Sequence, residues 1–600
     1  MSDQDNPYLK YFDAEMRYLR NASNEFAQQN PEAARRLGLT TPGALDDRID
    51  QLYQGFAFLM ARMRMKLDDA LPEITDPLLD NLWPHTARTI PSLAILECVP
   101  RQGEVRVLGA LPAGLQVRST PVGADGTVCV YRTTQPVHLL PLDVCDAGAR
   151  VREDGRTVIS IAFKLMNFEQ RRLDDLSRIR LYLHGDRPVA SALYAALTRQ
   201  VASIGVRIPS IHDGQLQPQP DMKVEVAGFG PETRLWPSDN AKRNHELDRE
   251  QTMLEYFSFP EKFHFIDLCG FDAATIPLGE TRIEFEILLN GRLAGDFTFG
   301  KDNIRLFCTP VINLFEVDAE PLRPHAAYDR EHSVHAPGTA GGYVEPYDAL
   351  SVTATDQESS ERHEYRAFKS FRHRGGMMRY ESPERYFHTS TRFSVTGNRQ
   401  LWVNLGGQFW EHADSPPDGH LTVRVLANNG RLPRMALRES MISDPVSNFN
   451  GIQSVRNLTP PTMPLYPPRD REYDWCVISH FTGGGCNELN MMDESVLRDV
   501  LKLYDWTRRD DNGKRIAGIE GVWITEKNVV SRASVLRELH IHVAIDTAAF
   551  AGTGDVVLFG DVLSHFVGRY ANFHYSVRLV LIANGEETVC PRNDYTGAPF

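Results

Sequence analysis

The chain begins with apolar residues at helical spacing. Ahead of Pro31, large apolar side chains recur every three or four residues, at Leu9, Phe12, Met16, Leu19 and Phe26. A second series, which ends before Pro72, comprises Ile49, Leu52, Phe56, Leu59 and Met63. Each series predicts a helix with one heptad-like apolar seam. Asp46 and Asp47 stand at the expected start of the second helix, where the helix dipole favours negative charge.

These two seams allow two interpretations. They could pack against each other within one chain, as paired amphipathic helices ordinarily do. Alternatively, they contribute to a helical bundle that several chains share. Phe58, Met60 and Met65 lie off the second seam, so the second helix is apolar on more than one side. That surplus favours a shared bundle, and we take the residues of both seams as candidate partner-interface residues.

After Pro91 the periodicity changes from helical to alternating. Apolar residues alternate with more polar neighbours in three clear runs: Ile179, Leu181 and Leu183; Ile283, Phe285, Ile287 and Leu289; and Leu421, Val423 and Val425. Alternation of this kind predicts half-buried strands. A helical pattern at 189–201 interrupts them. The middle of the chain is therefore predicted to be mainly antiparallel sheet.

A proline-rich stretch marks the next change. Prolines at 460, 461, 464, 467 and 468 predict an extended, stiff linker. Beyond it, helical patterns at 493–506 and 561–570 flank strand patterns at 538–545 and 576–582, and Asp511-Asn512-Gly513 predicts a turn. The predicted fold class is α+β. We expect an N-terminal helical segment at 1–92, a β-rich domain with inserted helices at 93–330, a β-rich middle domain at 331–457, the linker at 458–468 and a C-terminal α/β module at 469–600.

Composition narrows the class of protein. The 600 residues include 65 basic and 79 acidic side chains, for a net charge of −14, which argues against nucleic acid as a partner. The 8 cysteines contain no C-x-x-C pair and are too sparse for a disulfide scaffold, so we expect reduced thiols in the cytoplasm. The first residues lack the pattern of a secretory signal, and no uncharged apolar run reaches about eighteen residues, so no membrane span is expected.

Histidine pairs are the candidates for metal binding. His540 and His542 could ligate a metal from one face of a strand, whose other face carries Leu539, Ile541 and Val543. The sequence places no third ligand beside them. His332 and His335 lie in what we interpret as a polar loop. We therefore predict no metal site.

Other combinations with catalytic potential are equally incomplete. Ser479 and His480, taken as strand neighbours, point to opposite faces and cannot form a nucleophile–base pair. Gly483-Gly484-Gly485 lacks the Lys-Ser/Thr of a phosphate loop, and Gly552-Thr553-Gly554 is a lone G-x-G. The consecutive pairs at 68–69 and 174–175 diverge on a helix. We predict no catalytic residue, no cofactor and no enzymatic activity.

A basic stretch at 362–385 interleaves arginines with aromatic residues. Such a mixture suits an acidic partner or a stacked nucleic acid. Nearby glutamates and the acidic chain as a whole favour ion pairs or an acidic protein partner over nucleic acid.

Several stretches resemble the TssF family of type VI secretion baseplate subunits. Residues 11–20 (YFDAEMRYLR) and 52–69 are similar to its first two helices. The most specific segments are 255–263 (EYFSFPEKF) and 308–315 (CTPVINLF), and 558–563 (LFGDVL) is similar to its terminal part. The similarity runs in order from about residue 8 to about residue 591. Local departures occur after Val334, at 427–430 and at Cys590.

The resemblance implies a non-enzymatic scaffold in a baseplate wedge. Such a subunit is expected to pair with a second copy of itself and with TssG, in a wedge that also holds TssE and TssK and gathers around the VgrG spike hub. It is expected in the cytoplasm, at a baseplate docked on the inner membrane complex. Two alternatives stay open: a wedge protein of a phage-tail-like contractile injection particle, and a β-rich cytosolic hydrolase with two carboxylates facing across a cleft.

Overall fold

The chain forms two compact units, each built from non-contiguous segments. One unit comprises 1–88, 316–340 and 345–427; the other comprises 89–315, 341–344 and 428–600. The computed structural model describes residues 7–36, 47–69, 79, 83, 85, 88–101, 109–123, 125–166, 176–236, 248–293, 298–322, 331–337, 343–355, 362–367, 385–393, 399–407, 420–445, 451–468, 471–482, 492–507, 509–531, 534–571 and 575–593.

Helices and strands both contribute substantially, which confirms the α+β class. In chain order, the helices of the described residues are α1 Pro7–Gln29, α2 Pro31–Arg36, α3 Asp47–Asp69, α4 Arg187–Arg199, α5 Asp248–Ser258, α6 Leu432–Ala436, α7 Arg471–Thr482, α8 Glu494–Lys502, α9 Asp510–Ala517 and α10 Thr553–Val567. The two helices expected at the start of the chain are confirmed as α1 and α3.

The strands of the described part of the chain are β1 Leu93–Pro100, β2 Gly109–Leu111, β3 Gln116–Ser119, β4 Val130–Thr133, β5 Val137–Leu139, β6 Leu142–Val151, β7 Thr157–Leu165, β8 Arg178–Leu183, β9 Val201–Arg207, β10 Gln217–Pro218, β11 Lys223–Val226, β12 Phe265–Cys269, β13 Arg282–Leu289, β14 Ile304–Arg305, β15 Cys308–Ile312, β16 Phe315–Asp318, β17 Glu331–Val334, β18 Glu345–Thr355, β19 Arg362–Ala367, β20 Arg385–Phe393, β21 Arg399–Gly407, β22 His420–Asn428, β23 Ile442–Pro445, β24 Ile452–Asn457, β25 Ile519–Ser531, β26 Ser534–Ile545, β27 Tyr575–Ala583 and β28 Glu586–Asn593.

The first unit contains the helical hairpin α1–α3 and one large sheet. Its strand order is β16-β22-β18-β19-β20-β21-β17, and β19–β20 pair in parallel. Val352, Tyr365, Val403 and Val423 lie on the buried face of this sheet. The alternation expected at 421–425 is confirmed, because the apolar side chains of β22 are buried and Thr422 and Arg424 are exposed.

The second unit carries the remaining sheets. Their orders are β23-β3-β4-β15-β1-β24, β10-β9-β13-β7-β6, β11-β12-β8-β14, β2-β5 and β25-β26-β27-β28. The expected strands at 179–183 and 283–289 are confirmed as β8 and β13, whose alternating apolar side chains are fully buried. In the last sheet, β26 and β27 are parallel, and α10 lies between them in the chain and packs on β27.

Both edge strands of the first of these sheets meet at Asn457. Its side-chain oxygen accepts a hydrogen bond from the Ile442 amide of β23 at 2.9 Å, and its Nδ2 donates to the carbonyl of Arg438. Asn457 is fully buried, so its amide is committed to these contacts. The Asn457 side chain of β24 thus bonds β23, the strand at the opposite edge, so the sheet curls until its two edges meet.

The proline-rich stretch continues alongside β1 rather than standing away from the protein. Ile90 and Leu465 exchange backbone hydrogen bonds of 2.8 and 2.9 Å, and the Thr462 hydroxyl accepts from the Leu93 amide. Pro461, Pro464 and Pro467 are buried. The stretch is extended because proline favours that backbone, and its neighbours provide the hydrogen bonds that proline cannot donate. The division into domains at this stretch stays a prediction.

Two local predictions about the C-terminal region are wrong. The turn expected at Asp511-Asn512-Gly513 is the first half of α9, where Asp510 and Asp511 stand in the first turn and suit the helix dipole. Ser479 and His480 belong to α7 rather than to a strand. Tertiary packing of α7 and α9 outweighs the local preferences on which these predictions relied.

Candidate interaction surface

The apolar seam of α3 lies on the outside of the helical hairpin. Leu52, Phe56, Leu59 and Met63 are 71%, 55%, 58% and 57% exposed. At about 100° per residue, these four side chains fall within about 60° of one another around the helix axis. We call this surface the outer α3 face. It presents four large apolar side chains in a row with heptad-like spacing.

The opposite side of α3 packs against α1. Ala57 and Ala61 are fully buried there, and their small side chains let the two helices approach closely. The seam of α1 is turned inward: Met16 is buried, Phe12 and Leu19 are half-buried, and Phe26 at its end is 40% exposed. The two seams therefore do not pack on each other, because alanines take the inner side of α3. The side chains of Leu9 and Ile49 lie outside the described residues.

The histidines of β26 lie on one sheet face, as expected, but they do not form an open metal site. His540 is buried and its Nε2 lies 2.8 Å from the Glu538 carboxylate, which Arg578 also contacts at 2.8 Å. The ring of His542 stacks on Trp523 and shares a hydrogen bond with Thr525. Among the described residues, no three metal-ligating side chains gather at one point.

Two of the other candidate histidines are buried, whereas His335 is exposed just after β17. His332 is buried within β17, so the loop expected around it is wrong at that position. His480 of α7 is buried and its Nε2 lies 2.9 Å from the Tyr504 hydroxyl. In the basic stretch, Tyr365 of β19 is buried in the sheet rather than free to stack on a base. Residues 368–384, the glycines at 483–485 and the acidic pair at 174–175 lie outside the described residues.

Three buried carboxylates of the second unit are held by basic side chains. Asp267 accepts from Arg178 and Arg180, and Asp555 pairs with Arg515 at 2.8 Å. Glu255 pairs with Lys262, and its carboxylate also accepts from the Leu235 amide and the Gln251 side chain; these two acceptor bonds measure 2.9 and 2.8 Å. Burial lowers the pKa of Lys262, and the adjacent Glu255 charge opposes that effect. The opposite charges of these groups are therefore paired within the protein core.

The sequence of this chain matches known proteins over nearly its whole length. A family model described as Type VI secretion system, TssF matches residues 4–595. The chain belongs to the TssF family. The type VI secretion system component TssF1 of Pseudomonas aeruginosa is 27% identical over 620 residues, which cover 96% of each chain. The resemblance found in the sequence is thereby confirmed, and with it the role of a structural component of the type VI secretion baseplate.

Solved structures agree with this TssF assignment. A chain in the cryo-electron microscopy structure of a type VI secretion TssK-TssF-TssG baseplate subcomplex is 35% identical, with a TM-score of 0.76. The similarity covers 92% of the present chain and 100% of that chain. A chain in a structure of the type VI secretion baseplate complex is 32% identical over 99% of the present chain and 100% of its own, with a TM-score of 0.65.

For this TssF chain, sequence reasoning located the apolar row of α3, whose role as a partner interface stays a prediction, and missed the buried ion pairs. The family-specific segment 255–263 contains Glu255 and Lys262, and the sequence alone assigned them no partner. Their seven-residue separation spans the end of α5 and the following turn, so only the folded backbone brings them together. Within the part of the chain that the structure describes, none of the helices is both long enough and apolar enough to span a membrane.

Proposed function

We propose that this chain is a structural wedge subunit of the type VI secretion baseplate and binds a TssG protein through the outer α3 face. The observation that carries the proposal is the row formed by Leu52, Phe56, Leu59 and Met63, each more than half exposed. Contiguous exposed apolar side chains with a polar rim are typical of interaction sites.

The spacing of the row favours a partner helix. Steps of four, three and four residues match the knobs of a helical bundle, which insert between side chains of a facing helix. Fully burying a Leu, Phe or Met side chain is worth about 1.5–3 kcal/mol, so sealing these half-exposed ones contributes on the order of 1 kcal/mol each. Four together supply a large part of a stable helix–helix contact.

Further partners follow from the family. One solved relative is a chain of a TssK-TssF-TssG baseplate subcomplex, and we propose the same two partners here. A second copy of this chain, TssE and the VgrG spike hub complete the proposed wedge. We place the assembled baseplate in the cytoplasm, docked at the inner membrane complex.

Co-expression with a TssG protein tests the α3 contact. We expect the double substitution Phe56→Asp and Leu59→Asp to abolish co-purification of TssG. Each of the two substitutions would bury a carboxylate in an apolar contact. A loss of about 3 kcal/mol of binding free energy weakens binding about a hundredfold. The mass of the complex is measured by light scattering, and circular dichroism checks that the variant is folded.

A matched control distinguishes damage to the outer α3 face from a general effect of added charge. Leu278 is 58% exposed, like Leu59, but lies in the second unit. The variant Leu278→Asp should retain TssG. If the Phe56/Leu59 variant keeps the full complex, or if Leu278→Asp loses it equally, the outer α3 face is not the contact.

We also infer that the chain has no catalytic role. The buried Asp267, Glu255 and Asp555 each pair with an arginine or a lysine, whereas a glycan hydrolase needs two carboxylates facing an accessible cleft. The depression between α8 and α9 is lined by Arg498, Lys502 and Asp505, which offer one carboxylate. Metal analysis of the purified protein is expected to find no stoichiometric zinc, iron or manganese; a bound metal ligated by His540 or His542 would contradict this inference.

A further inference from the structure

Four buried polar side chains of the second unit point to an internal binding site. Ser191 of α4, Tyr256 of α5, His264 and Asp555 of α10 are only 2%, 1%, 4% and 1% exposed. One polar atom of each has no hydrogen-bond partner among the described residues: Ser191 Oγ, Tyr256 Oη, His264 Nε2 and Asp555 Oδ1. Buried polar groups are nearly always satisfied, so these atoms call for an explanation.

Contacts between their elements place the four residues around one junction of the second unit. Gly554 lies directly against the Ser191 backbone, which places the start of α10 on α4. One turn after Asp555, the Phe559 ring lies 6.1 Å from the Tyr256 ring. The charges of Asp555 and Arg187 act on both the His264 imidazole and the Tyr256 hydroxyl, so these two side chains lie near Asp555.

Two arginines balance the negative charge of Asp555 at this junction. Asp555 Oδ2 accepts from Arg515 at 2.8 Å and from the Ala551 amide at 3.2 Å. Asp555 Oδ1 faces Arg187 at 3.6 Å, which is longer than a direct hydrogen bond. The two side chains form an ion pair without a direct hydrogen bond, so Asp555 Oδ1 keeps its capacity to accept one.

We propose that ordered water occupies this junction and joins α4, α5 and α10 through Ser191, Tyr256, His264 and Asp555. Water suits the mixed set because the two hydroxyls can donate or accept, the free carboxylate oxygen accepts, and a neutral imidazole offers both roles. A cation is disfavoured because two arginines already neutralise Asp555, and an anion is disfavoured by the carboxylate itself. Burial lowers the pKa of His264 to about 4, so its imidazole is neutral near pH 7.

The variant Tyr256→Phe in the full chain distinguishes an occupied junction from a dry one. If water satisfies the hydroxyl, removing it deletes a hydrogen bond and lowers the midpoint of urea unfolding. If the junction is dry, removing an unsatisfied buried hydroxyl raises the midpoint or leaves it unchanged. We expect a decrease.

Tyr194→Phe provides the calibration. Tyr194 is equally buried on α4, and its hydroxyl donates directly to Asp561 at 2.8 Å. We expect the two variants to lower the midpoint by comparable amounts. An unchanged or raised midpoint for Tyr256→Phe beside a lowered one for Tyr194→Phe would overturn the proposal.

A density map of the full chain, at a resolution that shows water, gives the second measurement. We expect density within hydrogen-bond distance of Tyr256 Oη and Asp555 Oδ1. A well-ordered junction without such density, or with the tyrosine hydroxyl bonded directly to a protein atom, would also overturn it.

Discussion

Single residues in the second unit show how strongly burial shifts protonation. His264 is 4% exposed, and the loss of solvation lowers its pKa to about 4; Arg187 lowers it further and Asp555 opposes the shift. In the unfolded chain the same imidazole has a pKa of about 6.5. The native state therefore binds fewer protons than the unfolded state between these two values.

This difference predicts an acid-sensitive contribution to stability. The contribution of neutral His264 is complete above about pH 6.5 and is lost as the pH falls toward about 4; by pH 5 the loss is on the order of 2 kcal/mol. His264→Gln cannot titrate, so the free energy of unfolding should fall less for the variant than for the natural chain between pH 7.5 and pH 5. Urea unfolding at both pH values measures the two changes, and equal changes would contradict the assignment.

Elements also impose constraints that single residues do not reveal. The sequence presented Gly552-Thr553-Gly554 as an isolated glycine pair, but the structure gives each glycine a role. Gly552 precedes α10 with φ of 140°, a conformation that favours glycine. A Cβ on Gly554 would lie closer than 3.0 Å to the Ser191 backbone, so α4 and α10 can meet only because the side chain is absent.

Gly554→Ala is therefore expected to destabilise the chain by about 1–3 kcal/mol, as overpacking does, although alanine is the better helix former. Gly513→Ala provides the matched control. Gly513 lies in α9 with open space around the position of a Cβ, so the substitution should stabilise by about 0.5–1 kcal/mol. Thermal or urea unfolding of both variants checks the opposite signs. A stabilising Gly554→Ala would show that the two helices do not cross this closely.

Strands and long helices were predictable because local periodicity specifies them. The buried faces of β8, β13 and β22 follow directly from alternating apolar residues. Asp511-Asn512-Gly513 failed as a turn because Asn512 is buried and its side chain bonds Asp505 and Thr507, contacts that fix α9 from outside the local sequence. The orientation of α3 was also ambiguous, since both of its sides carry apolar residues and only packing shows which side faces α1.

At the scale of the whole molecule, the chain returns to each unit more than once. Residues 316–340 and 345–427 join the N-terminal helices in one unit, while 428–600 joins 89–315 in the other. Within the second unit, Arg249 of α5 donates to the His565 carbonyl of α10 at 2.8 Å, and Asn512 donates to the Phe257 carbonyl. No local pattern announces such contacts, because the residues are hundreds of positions apart in the sequence.

The central claim is that the outer α3 face becomes buried when the baseplate wedge forms. Oxidation footprinting tests it directly, since Met63 belongs to that face and is 57% exposed in the single chain. Met435 on α6 is 72% exposed and serves as the internal control. Peroxide oxidation of both methionines is measured by mass spectrometry for the chain alone and for its complex with the TssG-like partner. The account predicts that the complex protects Met63 several-fold and leaves Met435 unchanged; equal oxidation of Met63 in both samples would contradict it.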